Sequence, residues 1–370
     1  MKALRLYAGP AAREHLARQG LSPADVSCIP AAAGGPKGLM LGRLDRFLFN
    51  DWLPRSDQPI DLVGASIGAW RMATACLQNS NTAFARLEND YIAQHYELAP
   101  GEKRPPAHRV SEQFADNLKR FYGGRLGEVL YHPRYRLHII TSRGRHVLGS
   151  PGQVRTPMGY AGAFVSNAVH RKALGAWLQR VVFSSPLASR GVASAQAHPL
   201  PFGTTDLSTR HVVLTPANFM AALQASCSIP FVLEPVVGIP GAPFGCYWDG
   251  GITDYHLHLR YATPAGRQPG LVLYPHFQQA VVPGWLDKAL AWRHPSTAAL
   301  SHMLVLAPNP EWVATLPNGK LPDRSDFTRY SRDFATRSRL WHAAVDASQQ
   351  LVDELAQWLD KPDMAQVHAL

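Results

Sequence analysis

Two short apolar runs early in the chain each end in a glycine turn that opens a helix-like stretch. The first is "DVSCIP" leading into "AAAGGPKG"; the second is "PIDLVGAS" leading into "IGAWRMATACLQ". Strand, turn and helix repeated in this way imply parallel strands covered by crossover helices, because a parallel strand cannot return by a tight hairpin. The expected fold class is therefore α/β, a mostly parallel central sheet sandwiched between helices. Helical spacing of Leu39, Leu41, Leu44, Phe47 and Leu48 predicts a helix after the first turn. Of the 370 residues, 46% are hydrophobic and 17% charged. A chain of that size and composition can bury a large core.

Further along, "AAREHLARQGL", "TAFARLENDYIAQHY" and "SEQFADNLKRFYG" read as helices. "YRLHIITSRG" and "HVLGS" read as paired strands, and "AFVSNAVHRKALGAWLQRVVFSS" as a segment capping a site. "TRHVVL", "FGCYWD", "GLVLYPHF" and "SHMLVLAP" are strands. "DFATRSRLWHAAVDASQQLVDELAQWLDK" is one long amphipathic helix. There is no internal repeat or linker. The expected division is 1–260 as a catalytic domain, with 261–370 supplying strands and a helix packed on the same domain.

Three glycine-bearing pieces carry chemistry. Gly64-Ala65-Ser66-Ile67-Gly68 places a serine in a sharp strand-to-helix turn. The small neighbours tolerate the strain, and the helix that follows points its positive end at the site. Gly34-Gly35-Pro36-Lys37-Gly38 opens a helix, where converging N–H groups bind an anion. Opposite a nucleophilic serine that anion is a tetrahedral oxyanion. A phosphate loop is the rival, but Lys37 is followed by Gly38 where a Walker loop needs Ser or Thr. Asp249-Gly250-Gly251 holds an aspartate at a strand end, although Asp-Gly is also an ordinary turn pair.

Together, in this order, the three pieces resemble the patatin-like phospholipase family. A fourth block agrees: "ASCSIPFVLEPV", Ala225 to Val236, is similar to that family's Ala-Ser-x-x-Ile-Pro segment. The likeness spans Val26 to Tyr255. It implies a patatin-like fold and a serine lipid acyl hydrolase of the phospholipase A or esterase type. It also implies a Ser–Asp dyad without histidine, with Ser66 as nucleophile and Asp249 as general base. The oxyanion hole would fall on the loop Gly34, Gly35, Lys37 and Gly38. Pro36 lacks an N–H and cannot donate. Two departures stand out. Ala32 and Ala33 replace the family's Asp-Gly, and Lys37 replaces its arginine. Lysine keeps the charge but loses the bidentate fork.

An α/β-hydrolase triad is the alternative, with His256, His258, His276 or His368 as third member. A catalytically silent lipid-binding protein on the same scaffold is another. No cofactor is expected, and no metal: the four cysteines, Cys28, Cys76, Cys227 and Cys246, form no C-x-x-C pair, and "DYHLH" lacks a third ligand. Sparse cysteines and the absence of a leader-like apolar stretch suit a cytoplasmic location. The expected partner is a lipid or other acyl ester, with no nucleic acid. The net charge of +10 fits either a solvated basic surface or peripheral contact with an anionic membrane. "VPGWLDKALAWRH", Val282 to His294, reads either as an interfacial helix or as core packing.

Overall fold

The computed structural model describes residues 1–98, 102, 104–150, 152, 154–189, 192–262 and 270–370. In chain order its strands are β1 (Leu4–Ala8), β2 (Val26–Ala31), β3 (Ile60–Ala65), β4 (Tyr135–Gly144), β5 (Leu178–Ser184), β6 (Pro186–Ser189), β7 (Val192–Ala197), β8 (Thr209–Val213), β9 (Val236–Val237), β10 (Cys246–Asp249), β11 (Leu271–Pro275), β12 (Met303–Pro308) and β13 (Val367–Ala369). Strands β6 and β7 form a separate hairpin. The other eleven make one sheet, ordered β13-β1-β12-β11-β2-β3-β4-β10-β9, with β5 on β4 and β8 on β5.

The sheet is mostly parallel and flanked by helices. Parallel pairing links β12-β11-β2-β3-β4 without a break. Strands β3, β11 and β12 are buried along their length, as parallel strands covered on both faces must be. Strands β11 and β12, from beyond residue 261, therefore lie in the same sheet as β2 and β3. The main core runs from Leu4 in β1 to Val367 in β13, on both sides of the sheet.

One detail of register decides where the site lies. Strand β4 is ten residues long and has three partners. Its residues 138–144 pair with β5 along one edge. On the other edge β3 takes residues 135–140, and antiparallel β10 takes 141–143. Strands β3 and β10 thus abut end to end, and their C-terminal ends meet. Ala65 stands opposite Ile140 and Asp249 opposite Thr141.

Several local expectations differ from the fold. The segment after the first glycine turn is not one helix. It is a 3₁₀ run Gly35–Leu41, an α-helix Gly42–Phe47, a π turn Leu48–Trp52 and a last 3₁₀ turn Leu53–Arg55. Three glycines, at 35, 38 and 42, weaken the α-helix there, and Pro54 ends the run. "HVLGS" is a 3₁₀ turn, not a strand. The chain doubles back so tightly that a Cβ on Gly144 would sit 1.9 Å from the Leu148 carbonyl oxygen. The segment expected as a cap splits into a helix, Arg155–Val169, and β5, which belongs to the sheet. The C-terminal helix breaks in two, Phe334–Ala347 and Gln349–Asp360. At the junction the Ser348 hydroxyl bonds the Val345 carbonyl (2.6 Å), a local side-chain bond that competes with the helix ladder. Residues 282–294 form two short 3₁₀ turns rather than an interfacial helix. Leu290 is buried, Trp285 packs on the core and Trp292 is exposed.

Candidate active site

Ser66 follows β3 directly and caps the helix Ile67–Ala75. Its φ of 57° and ψ of −129° are a conformation that residues other than glycine rarely hold. The flanking glycines make the turn sterically feasible. A Cβ on Gly68 would lie 1.9 Å from the Ala31 carbonyl oxygen, and one on Gly64 would lie 2.5 Å from the Ala69 nitrogen. The serine is held from the side as well. Its N–H donates to Ser226 Oγ (2.9 Å), and that hydroxyl donates to the Ile140 carbonyl (2.7 Å).

Across the junction of β3 and β10, Ser66 Oγ donates to Asp249 Oδ2 at 2.6 Å. The other carboxylate oxygen accepts the Gly251 N–H at 2.7 Å. The Asp249 N–H donates to the Ser228 carbonyl (2.9 Å). Gly250 is obligatory for the close passage over β4, since a Cβ there would lie 2.1 Å from the Ile140 oxygen. The turn is anchored further on by Asp254, which forms a buried fork with Arg180 (2.6 and 2.7 Å). Ser66 and Asp249 are both buried, at 3% and 5% exposure.

Burial pushes the Asp249 carboxyl above the usual aspartate value. The Arg324 charge and the hydrogen bonds from Ser66 and Gly251 pull it back in part. An aspartate with a raised pKa is a better match for a serine proton than one in water. The sign of the pH effect follows. Activity that needs the Asp249 carboxylate falls as pH drops through its folded pKa. The acid limb of a pH–rate profile is expected above the ordinary value of 3.8. A limb at or below that value would mean that Asp249 is not the titrating base.

The other glycine loop lies beside this pair. Gly35, with φ 57°, lines the same cavity as Ser66. Gly38 packs on Ile67, the residue after Ser66; a Cβ on Gly38 would stand 3.1 Å from the Ile67 side chain. Gly34 meets the Phe277 ring, and the Ala33 N–H donates to the Tyr255 carbonyl (2.9 Å). The first N–H groups of a helix have no intrahelical acceptor; at the start of Gly35–Leu41 those are the N–H groups of Gly35 and Lys37, since Pro36 has none. Lys37 turns its ammonium over the Phe277 ring, 5.2 Å from the centroid. A buried two-pronged ion pair, Arg71 to Asp45 (2.6 and 2.7 Å), locks the helix after Ser66 to the segment after the loop.

Ser66 opens into a cavity of about 370 Å³. Its walls include Trp70, Val110, Phe114, Ile229, Leu233 and Phe327, with Arg324 and Arg337 among the polar groups. Such a lining suits an apolar chain bearing one reacting polar group. Phe231 and Val232, both exposed, stand on the wall as well, and Phe231 holds a strained φ of 68°.

None of the four histidines on which a triad would draw lines the cavity of Ser66. His256 Nδ1 lies 3.1 Å from the Val282 nitrogen, and His258 contacts the Val281 carbonyl and Thr297 Oγ1, both at 2.8 Å. His276 stacks on Tyr274, and His368 lies against Tyr7. His95 does line the cavity, against the Phe334 ring, but Asp249 is the partner of Ser66 Oγ. A Ser–His–Asp arrangement exists in another place. His138 contacts Ser184 Oγ at 2.7 Å and Asp61 Oδ1 at 3.2 Å. It is buried in the sheet and lines no part of this cavity. Asp61 lies five residues before Ser66, ~15 Å along an extended strand. Among the described residues there is no cluster of three or more His, Cys, Asp or Glu side chains able to hold a metal. Nor is any helix among them long and apolar enough to cross a membrane.

Two contributors were not assigned from the sequence. Ser226 stands in the "ASCSIP" block, but nothing in the pattern says that its hydroxyl braces the serine turn. Arg324 lies beyond the region of family likeness and carries no motif signal.

Neither a protein-family model nor a curated protein matches the chain. Among solved structures, the crystal structure of VipD from Legionella pneumophila is similar at a TM-score of 0.35. Identity is 12%, over 95% of this chain and 70% of that one. At that distance the likeness says nothing about activity.

Proposed function

We propose that the protein is a serine lipid acyl hydrolase that works through a Ser66–Asp249 dyad. One observation carries the reading: a buried 2.6 Å hydrogen bond to an aspartate from a serine on a strained strand-to-helix turn, the serine lining an apolar cavity. The four sequence blocks that resemble patatin-like phospholipases support it.

In this mechanism Ser66 Oγ attacks the ester carbonyl carbon and its proton passes to Asp249. The loop Gly34–Gly38 faces the carbonyl oxygen as it becomes an oxyanion. Removing one such donor typically costs about a hundred- to a thousandfold in turnover. The proton then moves from Asp249 to the leaving alcohol, which departs and leaves acyl-Ser66. Water attacks that ester, gives its proton to Asp249 and releases the fatty acid. The proton finally returns to Ser66.

Contact with a lipid surface belongs to the same reading. Exposed Phe231 and Val232 stand on the cavity wall, and the Phe231 ring lies 6.0 Å from that of Tyr160 on the helix Arg155–Val169. That helix exposes Met158, Val165 and Val169. The experiment is turnover of a panel of p-nitrophenyl esters and phospholipids by the purified protein and by Ser66→Ala. The protein should hydrolyse at least one class and the variant none above background. A protein that hydrolyses nothing would favour the silent lipid-binding scaffold.

A further inference from the structure

The helix Arg155–Val169 is inverted for a helix on a protein surface. Such helices bury an apolar stripe and show polar side chains to water. Here the polar ones face the protein. Asn167 donates to Asp287 (2.7 Å), Ser166 accepts the Trp177 indole N–H (3.0 Å), and Thr156 and Tyr160 are buried. The outward face is Pro157, Met158, Ala161, Phe164, Val165 and Val169, all of them exposed. Their spacing puts them on one side of the helix. Between Arg155 at one end and His170 past the other, no exposed residue is polar.

The apolar face continues past the helix. Arg293 bonds the Asn167 and Ala168 carbonyls, which sets Trp292, 68% exposed, beside the last turn. On the inner side Tyr160 meets Phe231, which stands exposed on the wall of the Ser66 cavity. The charges at the two ends of the helix have one sign. Arg155 is exposed at its start, and His170 and Lys172 are exposed just beyond its end. From Val129 to Thr205 the chain has no Asp or Glu. Asp287, beneath the helix, is taken by Asn167, Arg171 and Arg293. Glu234 is exposed after the Phe231 loop, so the cationic character belongs to the helix ends and not to that loop. A contiguous exposed apolar face marks a docking surface. A protein partner would need hydrogen-bonding groups within the contact, and this face offers none. A bilayer needs none. It takes apolar side chains at its acyl boundary, holds Trp at headgroup level and draws cations to anionic lipid.

We propose that the helix Arg155–Val169 and Trp292 dock the protein on an anionic lipid bilayer, with the helix lying in the plane of the interface. Arg155 and Lys172 sit among the headgroups at its two ends. This deepens the hydrolase reading by naming its partner, and rests on that reading for what the docking serves. The Phe231 side of the cavity then meets the bilayer, and an ester passes from lipid towards Ser66 without crossing water. Surface charge thereby decides which membranes the enzyme works on.

Docking of Ser66→Ala separates this proposal from the hydrolase reading, because no turnover is needed. Co-sedimentation would compare vesicles of phosphatidylcholine alone with vesicles that also hold about 30 mol% phosphatidylglycerol. Two cations at the surface predict about thirtyfold tighter partition to the anionic vesicles, lost at high salt. Adding Val165→Glu and Val169→Glu should weaken partition at least about tenfold. The melting temperature should not change, since both side chains are exposed. Lys172→Gln should cost about fivefold on anionic vesicles and nothing on neutral ones. Equal partition to the two kinds of vesicle, no partition to either, or partition that the two glutamates leave unchanged would overturn the proposal. So would a dimer in solution that the glutamates dissociate, because the face would then join two copies of the chain.

Discussion

Asp249→Asn is expected to lower kcat/KM for ester hydrolysis by about a thousandfold while the protein stays folded. The asparagine is nearly isosteric. Its oxygen can still accept the Gly251 N–H, and its amide can donate to Ser66 Oγ where the carboxylate accepted. What disappears is the ability to take the serine proton, a loss of about 4 kcal/mol of transition-state stabilisation. Stability should not suffer. Burial raises the folded-state pKa of Asp249, so the shift opposes folding at pH values above that pKa. Removing the charge removes that cost. A melting temperature equal to or above that of the parent, together with lost turnover, distinguishes a base from a structural carboxylate. If turnover survives, or falls only because the protein unfolds, the dyad is wrong.

Gly68→Ala should be among the most damaging single substitutions outside the dyad. The new methyl would stand 1.9 Å from the Ala31 carbonyl oxygen and 2.4 Å from its carbon. Neither can yield, because Ala31 ends β2, and β2 is paired to β3 through Ala31 and Gly64. Overpacking a core typically costs about 1–3 kcal/mol, and a backbone clash this close belongs at or beyond the upper end. Thermal unfolding should show a fall of about 4 °C or more, or an insoluble protein. Gly127→Ala is the matched control. It lies in the short helix Leu126–Leu130, and a Cβ there meets nothing within 4 Å. Its melting temperature should be unchanged or slightly raised. A soluble Gly68→Ala protein with parental stability would mean that the turn at Ser66 is looser than its geometry indicates.

Part of this site is legible in the sequence because its chemistry is local. Gly64, Gly68 and the Gly34–Gly35 pair stand at turns, and a turn's requirements are written within a few residues. The alternation of apolar runs and helix-like stretches likewise specifies parallel strands. Ser66 and Asp249 are 183 positions apart. No spacing rule links them; the family resemblance suggests the pair, and the abutting ends of β3 and β10 on β4 explain it physically. Other features have no local signal. Strand β13 at the sheet edge and its neighbour β1 owe their state to partners at opposite ends of the chain. The break at Ser348 depends on one hydroxyl, within a pattern that otherwise reads as continuous helix. Arg324 reaches Gly35 from almost 290 positions away, and only tertiary packing brings it there.

The most direct test of the account is the position of a fluorophosphonate adduct, found by mass spectrometry of peptides from the labelled protein. The reagent phosphonylates an activated serine, and among the described residues two buried serines have acid–base partners. Ser66 is bonded to Asp249 and opens into the cavity. Ser184 is bonded to His138 and His211 within the sheet. The account predicts a single adduct on the peptide containing Ser66, absent from Ser66→Ala. An adduct on Ser184, or a protein that stays unlabelled while hydrolysing esters, would contradict it.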